Sequence, residues 1–288
     1  MKRRIFTIIA VIIMLAGIGI MLYPIISNLL YERQQNELVE FYGQTAEEMP
    51  QEEKDKQWEE CSTYNKNLLS GGVLLTDPFE EAQLDPASHP YVDLLNITGD
   101  GAMGSIDIPS IGVDLVIYHG TEEETLQKGV GHLQGSSLPT GGIGTHCILS
   151  AHTGLSDKKL FTDLDQLEEG DQFYIHILGE IHAYQVDQIK VVLPDETEDL
   201  QINAQEDYVT LVTCTPYGIN THRLLVRGVR VPYVEQTREN EAEKHNAGSW
   251  QTDYLMAAAA GLILLVVTVI TVLQVRKMRE RRKRGRRR

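Results

Sequence analysis

The sequence predicts a mainly β domain held between two membrane-spanning helices, and three observations carry that expectation. Seven short segments between residues 103 and 231 are rich in Val, Ile, Tyr and Thr, with Gly, Pro and Asn between them, as strands and turns require. Two apolar runs, 5–26 and 255–275, each approach the roughly 20 residues a helix needs to cross a bilayer. The region between them is strongly acidic, whereas both flanks are basic.

The elements follow in chain order. Residues 1–4, with Lys2, Arg3 and Arg4, form a basic N-terminus, and 5–27 a transmembrane helix or signal anchor. No small-x-small cleavage site follows the run, so it is expected to be retained as an anchor. Residues 28–70 are dominated by Glu, Gln and Lys with Leu38, Phe41, Met49, Trp58 and Tyr64 at intervals, which suits one or two amphipathic helices. Residues 71–101 contain Pro78, Pro86, Pro90 and several Gly and read as a long loop, of a length that is usually functional or disordered. Strands are expected at 103–108, 113–118, 145–151, 172–178, 181–193, 207–213 and 222–231, with short helices at 121–128 and 158–168. Many short strands with few helices favour a closed or nearly closed β-barrel of about 130 residues, here 102–235. A linker (236–254), the second span (255–275) and a basic tail (276–288) complete the chain, which has no internal repeat.

Charge sets the expected orientation. The tail holds ten Lys/Arg and the N-terminus three, leaving thirteen basic against forty acidic residues in the central region, a net of −27. Basic flanks remain cytoplasmic, which places the central region outside the cell. A basic tail directly after a span is attracted to anionic lipid, a simpler account than nucleic-acid binding. The three cysteines, Cys61, Cys147 and Cys214, exclude a fully paired disulfide framework and leave at least one free thiol.

Position separates the three thiols. Cys61 lies in the acidic stretch WEECSTY, where neighbouring carboxylates suppress thiolate formation. Cys147 shares a strand face with Leu149 and Ala151 and reads as a small buried hydrophobe. Cys214 stands where a strand opens into the turn Thr215-Pro216-Tyr217-Gly218, positioned yet reachable. A thiol nucleophile needs a base or cation nearby. Among nine histidines, His152 also projects from a strand end, while His119, His132, His146 and His222 are weaker alternatives. Arg223 and Arg227 share a strand face by period two, and spacing does not choose between them as an oxyanion partner. The acidic run 195–199 lacks EF-hand spacing, and the sequence has no phosphate loop, Cys-x-x-Cys pair or zinc spacing, so no metal or other cofactor is expected.

These residues carry a family resemblance. Thr210-Leu211-Val212-Thr213-Cys214 resembles the T-L-x-T-C signature of sortases. Leu149-Ser150-Ala151-His152-Thr153-Gly154 resembles their histidine motif, and Asn220-Thr221-His222-Arg223-Leu224 their arginine motif, in the family's order. The resemblance covers roughly 100–232 and selects His152 and Arg223 as partners of Cys214. Asp77-Pro78-Phe79 is similar to the lid motif of class C, pilin-polymerising sortases, and a second span with a basic tail also fits that class.

What the resemblance implies is a closed barrel of about eight strands and a cysteine transpeptidase needing neither ATP nor metal. Cys214 would attack the Thr–Gly carbonyl of an LPxTG-like sorting signal on a pilin. His152 would serve the leaving and incoming amines, Arg223 would stabilise the oxyanion, and Phe79 would cover the resting nucleophile with Asp77 against Arg223. The alternatives are a sortase attaching proteins to peptidoglycan and a non-catalytic membrane-anchored surface module. A third, an L,D-transpeptidase-like enzyme, would need a Ser-x-Gly-Cys context where this chain has Val-Thr-Cys-Thr-Pro.

Overall fold

A computed structural model describes residues 2–71, 75–80, 89–155, 157–248 and Gly261. The apolar run 255–275, but for Gly261, and the basic tail lie outside the described residues. The first helix, α1 (Lys2–Glu48), runs unbroken from the basic N-terminus through the apolar run and past Pro24. Its stretch from Met14 is long and apolar enough to cross a membrane. A second helix, α2 (Gln51–Gly71), follows Pro50, and a short helix, α3 (His89–Asp93), lies within the region expected to be a loop.

Eight strands then form a closed barrel: β1 (Ala102–Ile108), β2 (Val113–His119), β3 (Val130–His132), β4 (Thr145–Ser150), β5 (Gln172–Ile177), β6 (Glu180–Val192), β7 (Asp207–Thr215) and β8 (His222–Val231). Their order around the barrel is β1-β2-β3-β4-β7-β8-β6-β5. The β2–β3 and β4–β7 pairs are parallel and the rest antiparallel. Helix α4 (Glu123–Lys128) joins β2 to β3, and α5 (Glu235–Gly248) follows the barrel.

Closure explains the burial pattern. Ile106, Ile108, Leu115, Ile117, Leu149, Phe173, Ile175, Leu211 and Val226 point into one shared core. Strand β1 is buried along its whole length, although a one-sided strand would alternate, because α1 packs at Ala102 and Arg238 of α5 pairs with Asp107. Tyr42 and Ala46 of α1 pack on Ala102, Val116 and Tyr118, and the Tyr42 hydroxyl donates to the Met103 carbonyl at 2.6 Å. On α2, Trp58 stacks on His182 with centroids 5.7 Å apart, and the Asn65 side chain accepts from the Leu138 N–H at 2.8 Å.

Two local differences from the sequence pattern have physical causes. Strand β3 is only three residues long, next to Gly129 and with Gly131 at its centre, and its pairing with β2 and β4 comes from barrel closure, not from a pattern of its own. Along 158–168 no α-helix forms, only a 3₁₀ turn at Leu164–Gln166. Leu160 adopts φ 44°, a left-handed conformation that stops a helix, and its side chain is buried in the core with Phe161 and Leu164.

Candidate active site

The site forms where parallel β7 carries its C-terminal end beside the end of β4. Antiparallel pairing with β8 sets Cys214 directly opposite Arg223. The β4–β7 register pairs Ser150 with Val212, and the Ala151 N–H continues it by donating to the Val212 carbonyl at 3.2 Å. The Thr213 hydroxyl closes the same junction, donating to the Ala151 carbonyl at 2.8 Å. His152 follows two residues beyond Ser150, as Cys214 follows two beyond its partner Val212. Gly154, at φ 76°, then turns the chain so closely under Tyr217 that a Cβ there would lie 3.1 Å from the ring. Tyr217 thereby packs the β7–β8 loop onto the histidine loop.

The segment Leu75–Glu80 closes over these three side chains. Leu75 and Phe79 pack with Leu133, Ile148, Leu200, Val212 and Leu225, which fixes the segment from below. Asp77 grips Arg223 through two parallel bonds: Nε donates to Oδ1 at 2.8 Å, and Nη2 to Oδ2. The Asp77 and Arg223 side chains are only 2% and 11% exposed, so the pair is largely screened from water. The Asp77 carboxylate also accepts from the Phe79 N–H at 3.3 Å, shaping the turn that aims the ring. That ring lies 5.0 Å from the Arg223 guanidinium carbon and 5.9 Å, centroid to centroid, from His152.

Electrostatics follow from this cover. Burial raises the Cys214 thiol pKa above its ordinary value, Arg223 opposes that, and Asp77 adds to it. Burial and the Asp77 carboxylate thus disfavour the thiolate of this half-buried cysteine. Cys61 lies on the buried face of α2, and burial, then Glu60, pushes its thiol up to about 12. Burial pushes the core thiol of Cys147 well above its ordinary range. Of the three, Cys214 alone is part-exposed.

The competing residues are occupied elsewhere. Arg227 is engaged by Asp187 at 3.0 and 2.7 Å and lies 4.3 Å over the Tyr208 ring. Asp187 sits at a bulge in the β6–β8 register, which frees its side chain for that contact. His119, His132 and His146 are buried and bonded to backbone or hydroxyl groups away from Cys214. A contact the motifs did not indicate is Glu123 of α4. Its Oε2 lies 3.2 Å from His152 Nε2, within ion-pair distance but at an angle that makes no hydrogen bond. Nothing in TEEETLQK marks this residue, because its proximity to His152 is created by the β2–β3 crossover.

Known proteins resemble this chain in sequence and fold. The sortase domain family model matches residues 106–231. Sortase C1 of Streptococcus agalactiae is 45% identical and superposes with a TM-score of 0.63, covering 69% of this chain and 100% of its own. Sortase C-1 of Actinomyces oris is 48% identical at a TM-score of 0.60, covering 63% of this chain and 99% of its own. Sortase A of Listeria monocytogenes is 25% identical over 234 residues, 81% of this chain and 95% of its own length. The chain thus belongs to the sortase family of cysteine transpeptidases, and its structural neighbours put it in class C.

Proposed function

We propose that the chain is a pilin-polymerising sortase in which Cys214, His152 and Arg223 carry the reaction and Asp77, Pro78 and Phe79 form its lid. The observation that carries this reading is the register that opposes Cys214 to Arg223, with one aromatic ring, Phe79, against both Arg223 and His152. The Cys214 thiolate attacks the Thr–Gly carbonyl of an LPxTG-like sorting signal, forming a thioester and splitting one difficult amide exchange into two steps. His152 protonates the departing glycine amine and then takes a proton from the incoming pilin lysine amine. Arg223, with five N–H donors in a planar fork, faces the oxyanion once Asp77 releases it. The product is an isopeptide-linked polymer. The apolar run of α1 anchors the enzyme in the bilayer of a Gram-positive cell, with the barrel outside and both basic ends inside.

The test is polymer formation from a pilin bearing the sorting signal. Cys214→Ala is expected to abolish it, His152→Ala to lower the rate about 10²- to 10⁴-fold, and Arg223→Ala about 10²- to 10³-fold. Polymer formed by Cys214→Ala at the native rate refutes the assignment.

A further inference from the structure

Helix α1 does not end where its apolar run ends. The run closes at Ile26, and by Asn28 the same helix is already packed into the barrel. The Asn28 side chain accepts from the Lys159 N–H at 2.8 Å. Lys158 Nζ lies 5.5 Å from the Tyr31 ring centre, and the Tyr31 hydroxyl and Gln35 amide both donate to the Lys128 carbonyl, at 2.8 and 3.1 Å. Gln35 also accepts from the Val116 N–H at 3.1 Å, and Tyr42 extends the contact another two turns.

On the opposite side of the same turns, Leu29 and Leu30 are each 63% exposed. One face of the helix thus grips the barrel while the other is still apolar and uncovered. No free linker separates the span from the domain. Pro24 lies within the apolar run, below the packed segment, so a bend there tilts the span without lengthening the connection.

One part of the domain gripped by α1 is the loop that follows His152. Lys159, besides holding Asn28, sends its Nζ to the Ile111 carbonyl at 2.5 Å and to Asp163 at 3.0 Å. Two residues on, the Phe161 N–H donates to the His152 carbonyl at 3.1 Å. Two residues of extended chain reach about 7 Å, so the His152 backbone lies within roughly 15 Å of Asn28.

We infer that α1 is a rigid post that fixes the height of the active site above the bilayer, so that the enzyme selects membrane-tethered substrates by the length of chain between their scissile bond and their own span. This rests on the proposed function for its membrane anchor and its substrate class. A site held within roughly 15 Å of the span end corresponds to at most about five residues of extended substrate spacer. A soluble peptide with the same motif escapes the restriction, because it approaches from any height.

The experiment uses the full chain in lipid vesicles with two substrates. One is a soluble peptide carrying the sorting motif, and the other a reporter with that motif, a polar spacer of graded length and an apolar span. A helix-forming insert of about two turns, seven residues, between Ser27 and Asn28 keeps the packed face in register to within about 20°. It lifts the domain by about 10.5 Å, the reach of about three extended residues. Cleavage of the soluble peptide is expected to be unchanged, which also reports that the lifted enzyme is folded. The shortest spacer that supports reporter cleavage is expected to lengthen by about three residues, with at least a tenfold loss at the native minimum and recovery when the spacer is extended. An unchanged minimum spacer overturns the inference. So does a native enzyme that cleaves reporters with no spacer as fast as reporters with long ones, a result independent of how the insert folds. Failure of the native enzyme on both substrates overturns the functional reading beneath it.

Discussion

Replacing Asp77 with Ala tests whether the lid governs the nucleophile. The substitution removes both bonds to Arg223, one of them 2.8 Å long, and the acceptor for the Phe79 N–H. A hydrogen bond to a charged group contributes about 1.5–3 kcal/mol net. Hydration of both charges in the open state offsets part of the gain from two such bonds, because the closed pair is almost fully desolvated. A net of about 2 kcal/mol is reasonable, and at 1.4 kcal/mol per tenfold it multiplies the open population about 30-fold. The pseudo-first-order rate at which a small thiol reagent labels Cys214, followed by intact mass, should rise about 10- to 100-fold. Cys61 and Cys147 are buried and serve as internal controls. The pH at half-maximal labelling should also fall. Burial is the largest influence raising this thiol and Asp77 adds to it, so opening the lid and deleting the carboxylate both favour the thiolate. A labelling rate within twofold of native, with an unmoved pH profile, would refute the reasoning.

Further outcomes are expected. Phe79→Ala removes a ring 5.0 Å from Arg223, a contact of about 0.5–2 kcal/mol, and should accelerate labelling several-fold. Combined with Asp77→Ala it should give less than the product of the two effects, since both act on one lid. Arg227→Ala breaks the Asp187 pair, whose side chains are 20% and 27% exposed, and should cost about 1 kcal/mol in thermal unfolding while leaving Cys214 acylation at its native rate. Acylation lost tenfold with stability intact would show that Arg227 shares the role given to Arg223. The soluble domain should lose stability as pH falls from 7 to 5. Burial pushes His132 and His146 down to about 4. The unfolded chain, with histidine near 6.5, therefore takes up protons first, which at pH 5 costs about 2 kcal/mol per histidine. A melting temperature flat over that range would contradict the neutral, buried state of these two rings.

The barrel was largely legible in the sequence because most of its strands carry their own pattern. Seven of the eight begin and end within two residues of an expected segment, β7 running two residues further than expected, through Cys214 to Thr215. Strand β3 was not legible, since three residues centred on glycine have no period to read. The alternation that put Cys147 on a face with Leu149 and Ala151 holds, since all three lie in the core. Which arginine faces the thiol was undetermined by periodicity, because Arg223 and Arg227 differ only in what lies across the sheet. Cys214 is opposite the first and Thr210 opposite the second, and Asp187 claims the second from a bulge no pattern forecasts. The Asp77–Arg223 grip joins residues 146 apart in sequence, so the motif suggested it but only the fold supplies the contact. The packing of α1 on the histidine loop had no trace in composition, since Asn28 and Tyr31 look like ordinary polar helix residues.

The most direct measurement is the mass of the enzyme after brief exposure to an LPxTG-like peptide, made with Asp77→Ala so that the site is open. A thioester adduct equal to the peptide up to its threonine, mapped to Cys214 and released by hydroxylamine, is the predicted result. An adduct on Cys61 or Cys147, or peptide turnover that persists in Cys214→Ala, would contradict the account.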